Sequence, residues 1–203
     1  MIARFYPVVP DAEWVERLAR LGVKLIQLRM KGAAPAALPA AIARALAACR
    51  EFGCELVVND YWREAIDCGA GFVHLGQGDL DTADTQAIRR AGMKLGISTH
   101  SHEELDRALR EDPDYVALGP VYETKLKVMP WAPQGLARVS EWKALAKRPL
   151  VAIGGITLER APAVFEAGAD SIAVVTDVVA HPNPERRTRD WLAAAKQYRE
   201  APT

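Results

Sequence analysis

The chain has 203 residues, half of them hydrophobic, and its 26 Lys and Arg residues balance its 26 Asp and Glu residues. This length fits a single well-packed domain over residues 1–203. A net charge of zero gives no indication of nucleic acid or an anionic membrane as a partner, so any anion site must be local.

Short apolar runs alternate with longer segments of helical period along the whole chain. The runs rich in β-branched and aromatic residues are predicted strands: 5–9, 23–28, 55–58, 72–75, 94–97, 115–118, 150–153 and 171–175. The segments between and after them are predicted helices: 12–21, 36–52, 61–68, 84–91, 102–110, 135–146, 158–167 and 184–199. Nearly continuous apolar strands predict a parallel sheet that is buried on both faces.

Eight strand–helix units in one domain predict a closed (β/α)8 barrel, the TIM barrel. The alternative is a doubly wound open sheet, but eight units are too many for it and the chain has no glycine-rich dinucleotide turn. Four strands are preceded by glycines that are suited to ending a helix: Gly22, Gly69, Gly92 and Gly168.

The connection after the sixth strand, residues 119–134, is unusually long. It contains three prolines and two lysines, which argue against a helix there. Loops longer than about 12–15 residues in a compact domain are usually functional. This loop leaves the carboxyl end of a strand, and active sites of barrels collect at that face.

Acidic side chains follow two neighbouring strands. Asn59 and Asp60 come directly after the third strand, and Asp79 follows the fourth. Carboxylates at neighbouring strand ends can share a hard divalent cation, which usually holds a phosphate. The alternative is helix capping, for which Asn and Asp are common and which would be favoured if these residues stood alone.

A basic strand end favours the metal site over capping. Gln27, Arg29 and Lys31 alternate at the end of the second strand, and a period of two places them on one face. In a barrel that face can point into the mouth and direct two cations and an amide at an anion. On these residues alone, a solvated strand end with a salt bridge to a neighbour is an equally good interpretation.

The fifth strand end supplies Ser98, which could donate a hydrogen bond to a phosphate. Ser101 and Glu104 instead form a capping-box pattern and are interpreted as structural. His74 lies inside an apolar strand, and we expect a hydrogen-bonded interior histidine rather than a ligand.

Glycines after the seventh strand and a threonine after the eighth predict a phosphate cup. Gly154 and Gly155 let backbone N–H groups approach an anion closely. Val175 and Thr176 end the eighth strand, and the loops after strands seven and eight form the usual phosphate pocket of this fold. Two anion sites on one barrel mouth indicate an enzyme that joins or converts two phosphorylated small molecules.

The cysteines and the apolar runs bear on location. Cys49, Cys54 and Cys68 form no CxxC pair, which argues against a disulfide framework or a zinc site and fits a reducing compartment. No apolar run approaches the roughly 20 residues that span a bilayer. The N-terminal residues lack the long apolar segment of a signal peptide. We therefore expect a cytoplasmic protein without membrane or nucleic-acid partners.

The motifs together resemble the thiamine phosphate synthase family, (β/α)8 enzymes of vitamin B1 biosynthesis. The matching stretches run in family order over almost the whole chain: 27–31, 59–60, 74–80, 96–100, 115–122, 151–156 and 168–170. The resemblance implies condensation of 4-amino-5-hydroxymethyl-2-methylpyrimidine diphosphate with a thiazole phosphate. It further implies that the diphosphate leaves with the help of Mg²⁺ and that the thiazole nitrogen captures the resulting pyrimidine-methyl cation.

The resemblance also implies roles for individual residues. Asp60 and Asp79 would bind Mg²⁺, and Ser98 would lie near the pyrimidine and the diphosphate. Lys31, Ser98 and Lys127 are the candidate catalytic residues. The diphosphate would be held by Gln27, Arg29, Lys31, Asn59 and Lys127. The thiazole phosphate would be bound by Thr124, Gly155, Val175 and Thr176.

The sequence departs from the family pattern at three positions. Glu123 stands where the family usually has proline, and Leu126 replaces a threonine, so one hydroxyl group for the thiazole phosphate is missing. Gly78 replaces a usual acid beside the metal site.

Three other interpretations stay open. A thiazole tautomerase has the same fold but usually carries a histidine where this chain has Pro120, and it tends to lack the Asn59-Asp60 pair. A non-catalytic barrel that binds a phosphorylated ligand would not need Lys31 or Lys127. A sugar-phosphate isomerase or epimerase would need a pair of inward-facing acids. The oligomeric state is open, and a homo-oligomer is one alternative.

Overall fold

The computed structural model describes residues 2–124 and 131–198. Its strands form a closed barrel in the order β1 to β8. They are β1 Phe5–Val9, β2 Leu25–Leu28, β3 Glu55–Asn59, β4 Phe72–Leu75, β5 Lys94–Thr99, β6 Tyr115–Leu118, β7 Leu150–Ile153 and β8 Ser171–Val174. All neighbouring strands are parallel, and β1 pairs with both β2 and β8. The predicted (β/α)8 barrel is confirmed.

Helices connect the strands and pack around the barrel. The described residues form α1 Ala12–Arg20, α2 Leu38–Phe52, α3 Trp62–Asp67, α4 Thr85–Arg90, α5 His102–Arg110, α6 Gly135–Ala146, α7 Ala161–Glu166, α8 Thr176–Val179 and α9 Pro184–Gln197. The sequence did not predict α8, because four residues are too few to show a helical period. None of these helices is long and apolar enough to cross a membrane.

The strands are buried on both faces, as their apolar sequences predict. Phe5, Val9 and Ile26 point outward into the layer between barrel and helices. Tyr6 and Leu25 point inward and belong to a second cluster that fills the barrel. Alternation along each strand therefore decides which side chains reach the interior. It places four polar residues on the inner face near the carboxyl ends of their strands: Gln27, Asn59, His74 and Ser98.

Hydrogen bonds close the base of the long loop after β6. The Gln134 amide donates to the Pro120 carbonyl oxygen at 2.8 Å, and the Gly135 amide donates to that of Val121 at 3.0 Å. Both ends of the loop are therefore fixed at the barrel mouth. Lys127 and Leu126, on which the sequence analysis relied, lie outside the described residues.

A small residue at position 96 leaves room for a tyrosine in the barrel interior. A Cβ atom on Gly96 would lie 2.1 Å from the Tyr115 ring, and overpacking of this kind usually costs about 1–3 kcal/mol. We expect Gly96→Ala to lower the free energy of unfolding by that amount, measured by urea denaturation. Gly71→Ala, where no atom lies within 4 Å, should change it by less than about 0.5 kcal/mol. Equal stability of the two variants would contradict the close packing described here.

Candidate active site

The carboxyl ends of the strands surround a cavity of about 550 Å³. This volume is typical of a small-molecule site, and every strand contributes lining residues. The predicted site residues within the described ranges all line this one cavity: Gln27, Arg29, Lys31, Asn59, Asp60, Asp79, Ser98, Thr124, Gly155, Val175 and Thr176. The predicted Lys127 falls outside those ranges.

Two carboxyl groups meet on one side of the cavity. Asp60 has a positive φ of 66°, and its amide donates to the His74 carbonyl oxygen at 2.9 Å. Asp79 is held by its Oδ2, which accepts from the Gly76 amide at 2.8 Å. Burial raises the pKa of Asp60 to about 6, and the charge of Asp79 and a hydrogen bond with it act in the same direction. The two acids are therefore electrostatically coupled.

Helix capping does not explain these acids. Helix α3 begins at Trp62 with Tyr61 at the cap position and has no side-chain capping bond. Helix α4 is capped by Asp84, whose carboxylate accepts from the Ala87 amide at 2.8 Å. Neither Asp60 nor Asp79 serves as an N-cap, so the capping alternative of the sequence analysis is wrong for both.

Two cations stand beside the carboxyl pair. Arg29 directly follows β2, and its amide continues the sheet by donating to the Val9 carbonyl oxygen at 2.8 Å. The charges of Arg29 and Lys31 oppose the rise in the pKa of Asp60. Within the described residues neither cation forms a salt bridge. The described residues therefore do not support the interpretation that Arg29 or Lys31 forms a salt bridge with a neighbour.

Closely packed glycine loops form the opposite side of the cavity. Gly155 has a positive φ of 65°, and a Cβ atom there would lie 2.3 Å from the Glu123 carbonyl oxygen. The Tyr122 amide donates to the Gly154 carbonyl oxygen at 3.0 Å. Thr176 is the first residue of α8. The unpaired backbone N–H groups at a helix start favour an anion, and this arrangement matches the phosphate pocket of the fold.

A chain of buried hydrogen bonds crosses the cavity floor. Gln27 Nε2 donates to Tyr6 Oη at 2.8 Å, and Tyr6 Oη lies 3.0 Å from Tyr115 Oη. His74 Nδ1 lies 2.7 Å from Tyr115 Oη, and its Nε2 lies 2.8 Å from Ser98 Oγ. Burial lowers the pKa of His74 to about 4, and the charge of Arg29 adds to this. The prediction of a hydrogen-bonded interior histidine is confirmed.

Sequence reasoning missed the two tyrosines of this chain. Tyr6 and Tyr115 lie in apolar strands and resemble ordinary core residues in the sequence. The available signal was their place in the alternation along each strand. Both tyrosines stand on the inner face, which also carries Gln27, His74 and Ser98. Only knowledge of which face points inward makes that signal useful.

A second group at the mouth was also missed. His100 Nδ1 lies 2.7 Å from Glu104 Oε2, and its ring stacks on Trp131 with 5.8 Å between centroids. Ser101 caps α5 by accepting from the Glu104 amide at 3.3 Å, as predicted. The Glu104 carboxylate, however, accepts from the His100 amide at 2.7 Å rather than completing a capping box.

The oxygen-rich side of the cavity fits a hard cation that is shared with a ligand. Among the described residues, no group of three or more His, Cys, Asp or Glu side chains is arranged to hold a metal. Mg²⁺ usually binds through only one or two carboxylates, together with water and substrate phosphates. The coupled Asp60–Asp79 pair supplies that minimal donor set.

Comparison with known proteins agrees with this geometry. Residues 5–178 match the family model described as thiamine monophosphate synthase. The chain belongs to the thiamine monophosphate synthase family. Over 196 residues it is 59% identical to thiamine-phosphate synthase of Rhizobium etli, covering 96% of each chain. It is 50% identical to the Cronobacter sakazakii protein of the same name, covering 96% of this chain and 90% of the relative.

The fold comparison leads to the same family. A solved structure of thiamine phosphate pyrophosphorylase from Pyrococcus furiosus superimposes with a TM-score of 0.84 at 26% identity, covering 98% of both chains. The family predicted from the motifs is thereby confirmed. In this member of the thiamine monophosphate synthase family, Pro120 follows Gly119 and both Asn59 and Asp60 line the cavity, as the resemblance leads us to expect of a synthase rather than of a tautomerase.

The raised pKa of Asp60 predicts a pH-dependent effect on stability. A folded-state pKa above the usual 3.8 means that the stabilising contribution is present below about pH 4 and is lost as pH rises through about 6. We expect Asp60→Asn, which tolerates positive φ, to raise stability at pH 8 by about 1 kcal/mol, after a discount for partial exposure. The gain should shrink towards pH 4 in metal-free thermal unfolding.

Asp106→Asn, at an exposed position of α5, is the matched control. It should change stability by less than about 0.5 kcal/mol at either pH. A loss of stability in Asp60→Asn at pH 8 would show that the carboxylate is not strained in the folded protein.

Proposed function

We propose that this chain condenses 4-amino-5-hydroxymethyl-2-methylpyrimidine diphosphate with a thiazole phosphate, giving thiamine phosphate and diphosphate. That activity makes the chain a transferase, as predicted. One observation carries the proposal. A single cavity combines the Asp60–Asp79 pair and two cations without a salt bridge to any described residue on one side with glycine-lined loops on the other. The names of the relatives in Rhizobium etli and Cronobacter sakazakii support the same activity.

The diphosphate binds on the side of β2 to β5. Arg29 and Lys31 supply positive charge, and Gln27 and Asn59 supply amide groups at buried positions, 5% exposed each. The charges of Arg29 and Lys31 act on Asp60, which fits an anion that is bound by these cations and by a metal ion together. Lys127 remains a predicted partner of the diphosphate.

Asp60 and Asp79 would hold Mg²⁺ on this side. When bound, the ion would neutralise charge on the diphosphate and make it a better leaving group. The raised pKa of Asp60 suits this role. Burial and the neighbouring acid disfavour the charged carboxylate, and a bound cation in place of the proton would stabilise it.

The residues of the chain act mainly through charge and position. The bond between the pyrimidine methylene carbon and the diphosphate oxygen breaks, and the diphosphate keeps the electron pair. The lone pair of the thiazole nitrogen then forms the new bond to the methylene carbon. No proton transfer is required, so Lys31, Lys127 and Arg29 serve as electrostatic stabilisers rather than as acids or bases.

The thiazole phosphate binds at the loops after β6, β7 and β8. Gly155 and Thr176 offer backbone N–H groups to the phosphate. Val175, which connects β8 to α8, and Thr124 line the same cavity. The cavity holds both substrates, so the thiazole nitrogen can approach the methylene carbon without a change of site.

Location and assembly stay proposals. Cys49, Cys54 and Cys68 are free thiols, which supports a reducing compartment such as the cytoplasm. The partners are the two small-molecule substrates, and association with further copies of the chain stays a prediction.

The direct test is formation of thiamine phosphate by the purified protein from both substrates and Mg²⁺. We expect turnover in the wild type and a loss of about 100-fold or more in kcat for Asp79→Asn, since it removes a side chain that would hold Mg²⁺ and so weakens the neutralisation of the departing diphosphate. Asp106→Asn should retain full activity. The absence of product from the folded wild type would overturn the proposal.

A second test separates the two sides of the cavity. Gly155→Ala would push a Cβ atom against the Glu123 carbonyl oxygen and displace the loop beside the proposed thiazole phosphate site. We expect KM for the thiazole phosphate to rise about tenfold, equivalent to roughly 1.4 kcal/mol, with little change in KM for the diphosphate substrate. Gly71→Ala should change neither. Equal increases in both values would argue against separate sites.

A further inference from the structure

The hydrogen-bond chain on the cavity floor connects side chains of β1, β2, β4 and β6 to the hydroxyl group of Ser98 on β5. It runs from Gln27 on β2 through Tyr6, Tyr115 and His74 to Ser98 on β5. Tyr6 and Tyr115 are 1% exposed and His74 is 7% exposed, so their polar atoms depend on one another for hydrogen bonds. An unpaired hydroxyl at this depth would be costly. The chain must therefore satisfy every donor in one consistent direction.

The amide of Gln27 sets that direction. Its Nε2 can only donate, so Tyr6 Oη is an acceptor at 2.8 Å. The Tyr6 hydrogen is then directed to its other neighbour, Tyr115 Oη, at 3.0 Å. In this direction Tyr115 gives its hydrogen to His74 Nδ1, which lies 2.7 Å from its Oη. Nδ1 must carry a lone pair, so the ring proton of His74 lies on Nε2.

The direction of the chain decides what Ser98 can do. With this tautomer, His74 Nε2 donates to Ser98 Oγ, 2.8 Å away, and Gln77 Nε2 donates to the Ser98 carbonyl oxygen at 2.8 Å. Both contacts use Ser98 as an acceptor. In the described part of the chain, no residue accepts from its hydroxyl group. The hydroxyl hydrogen is therefore left to point at a ligand in the cavity.

We propose that Tyr6, Tyr115 and His74 are positioning residues that fix Ser98 as a hydrogen-bond donor to an anionic oxygen of the ligand. The inference rests on the proposed function for the identity of that ligand, the departing diphosphate. A donor held in place before the reaction gains strength as negative charge develops on the leaving oxygen. The opposite direction, with Gln27 turned so that its Oε1 accepts from Tyr6, would make Ser98 donate to His74 and leave no donor for the ligand.

The tautomer of His74 distinguishes the two directions. In ligand-free protein with ¹⁵N-labelled histidine, we expect a protonated Nε2 and an unprotonated Nδ1 at neutral pH. The chain has four histidines, and a His74→Asn variant assigns the signal. A protonated Nδ1, alone or together with Nε2, would overturn the proposal. This measurement needs no turnover, so it is independent of whether the proposed function is correct.

Binding of inorganic diphosphate in the presence of Mg²⁺ tests the consequence for Ser98. We expect Ser98→Ala and Tyr115→Phe each to raise the Kd about tenfold, as for loss of one hydrogen bond to a charged group. The double variant should be no weaker than either single one, because both changes remove the same donor. Additive losses would show that Tyr115 acts independently of Ser98 and would overturn the proposal.

The variants are chosen to separate positioning from folding. Tyr115→Phe keeps the ring that packs on Phe72 and His74, and if it unfolds, Tyr6→Phe interrupts the chain one step further away. Tyr198→Phe, on a ring that packs against Phe165 outside the barrel, should leave both the His74 tautomer and the Kd unchanged. If the wild type binds diphosphate as expected but forms no thiamine phosphate, the proposed function fails while the positioning of Ser98 stands.

Discussion

Closure of the sheet between β1 and β8 is the constraint on which the site depends. A closed parallel barrel directs every second side chain of each strand into one interior and brings all carboxyl ends to one mouth. Residues from 6 to 176 thereby line a single cavity. In an open sheet the same side chains would be spread along a crevice, and Tyr6 could not contact Tyr115 across the interior.

The interior is divided between packing and polar contacts. Inward-facing apolar residues such as Leu25, Val57 and Val151 fill the lower part of the barrel. Above them, several strands carry polar residues at their inner positions. Gln27 and Ser98 are joined there by hydrogen bonds through Tyr6, Tyr115 and His74. A buried network of this kind is costly when incomplete and specific when complete. On the cavity floor it holds Ser98 at two atoms, since the hydroxyl oxygen contacts His74 and the carbonyl oxygen accepts from Gln77.

The mouth of the barrel carries an electrostatic strain that fits its proposed chemistry. Asp60 is placed beside Asp79 in partly buried surroundings that raise its pKa, and the charges of Arg29 and Lys31 oppose this rise. Such a cluster weakens the folded protein, and in the proposed function this cost is offset by affinity towards a cation and a diphosphate. The backbone at Asp60 is also unfavourable, because it adopts a left-handed conformation that is rare outside glycine, asparagine and aspartate.

The amino-acid sequence by itself determined the barrel, because the alternation of apolar strands with helical segments is a local property that survives without coordinates. It also determined which strand ends carry charge, since Arg29, Lys31, Asp60 and Asp79 are visible as breaks in apolar runs. Only the tertiary structure decided that Asp60 and Asp79 are not helix caps and that Tyr6 and Tyr115 join His74 to Ser98. Those contacts link residues as far apart as positions 6 and 115, and barrel closure, not local sequence, sets the distance between them.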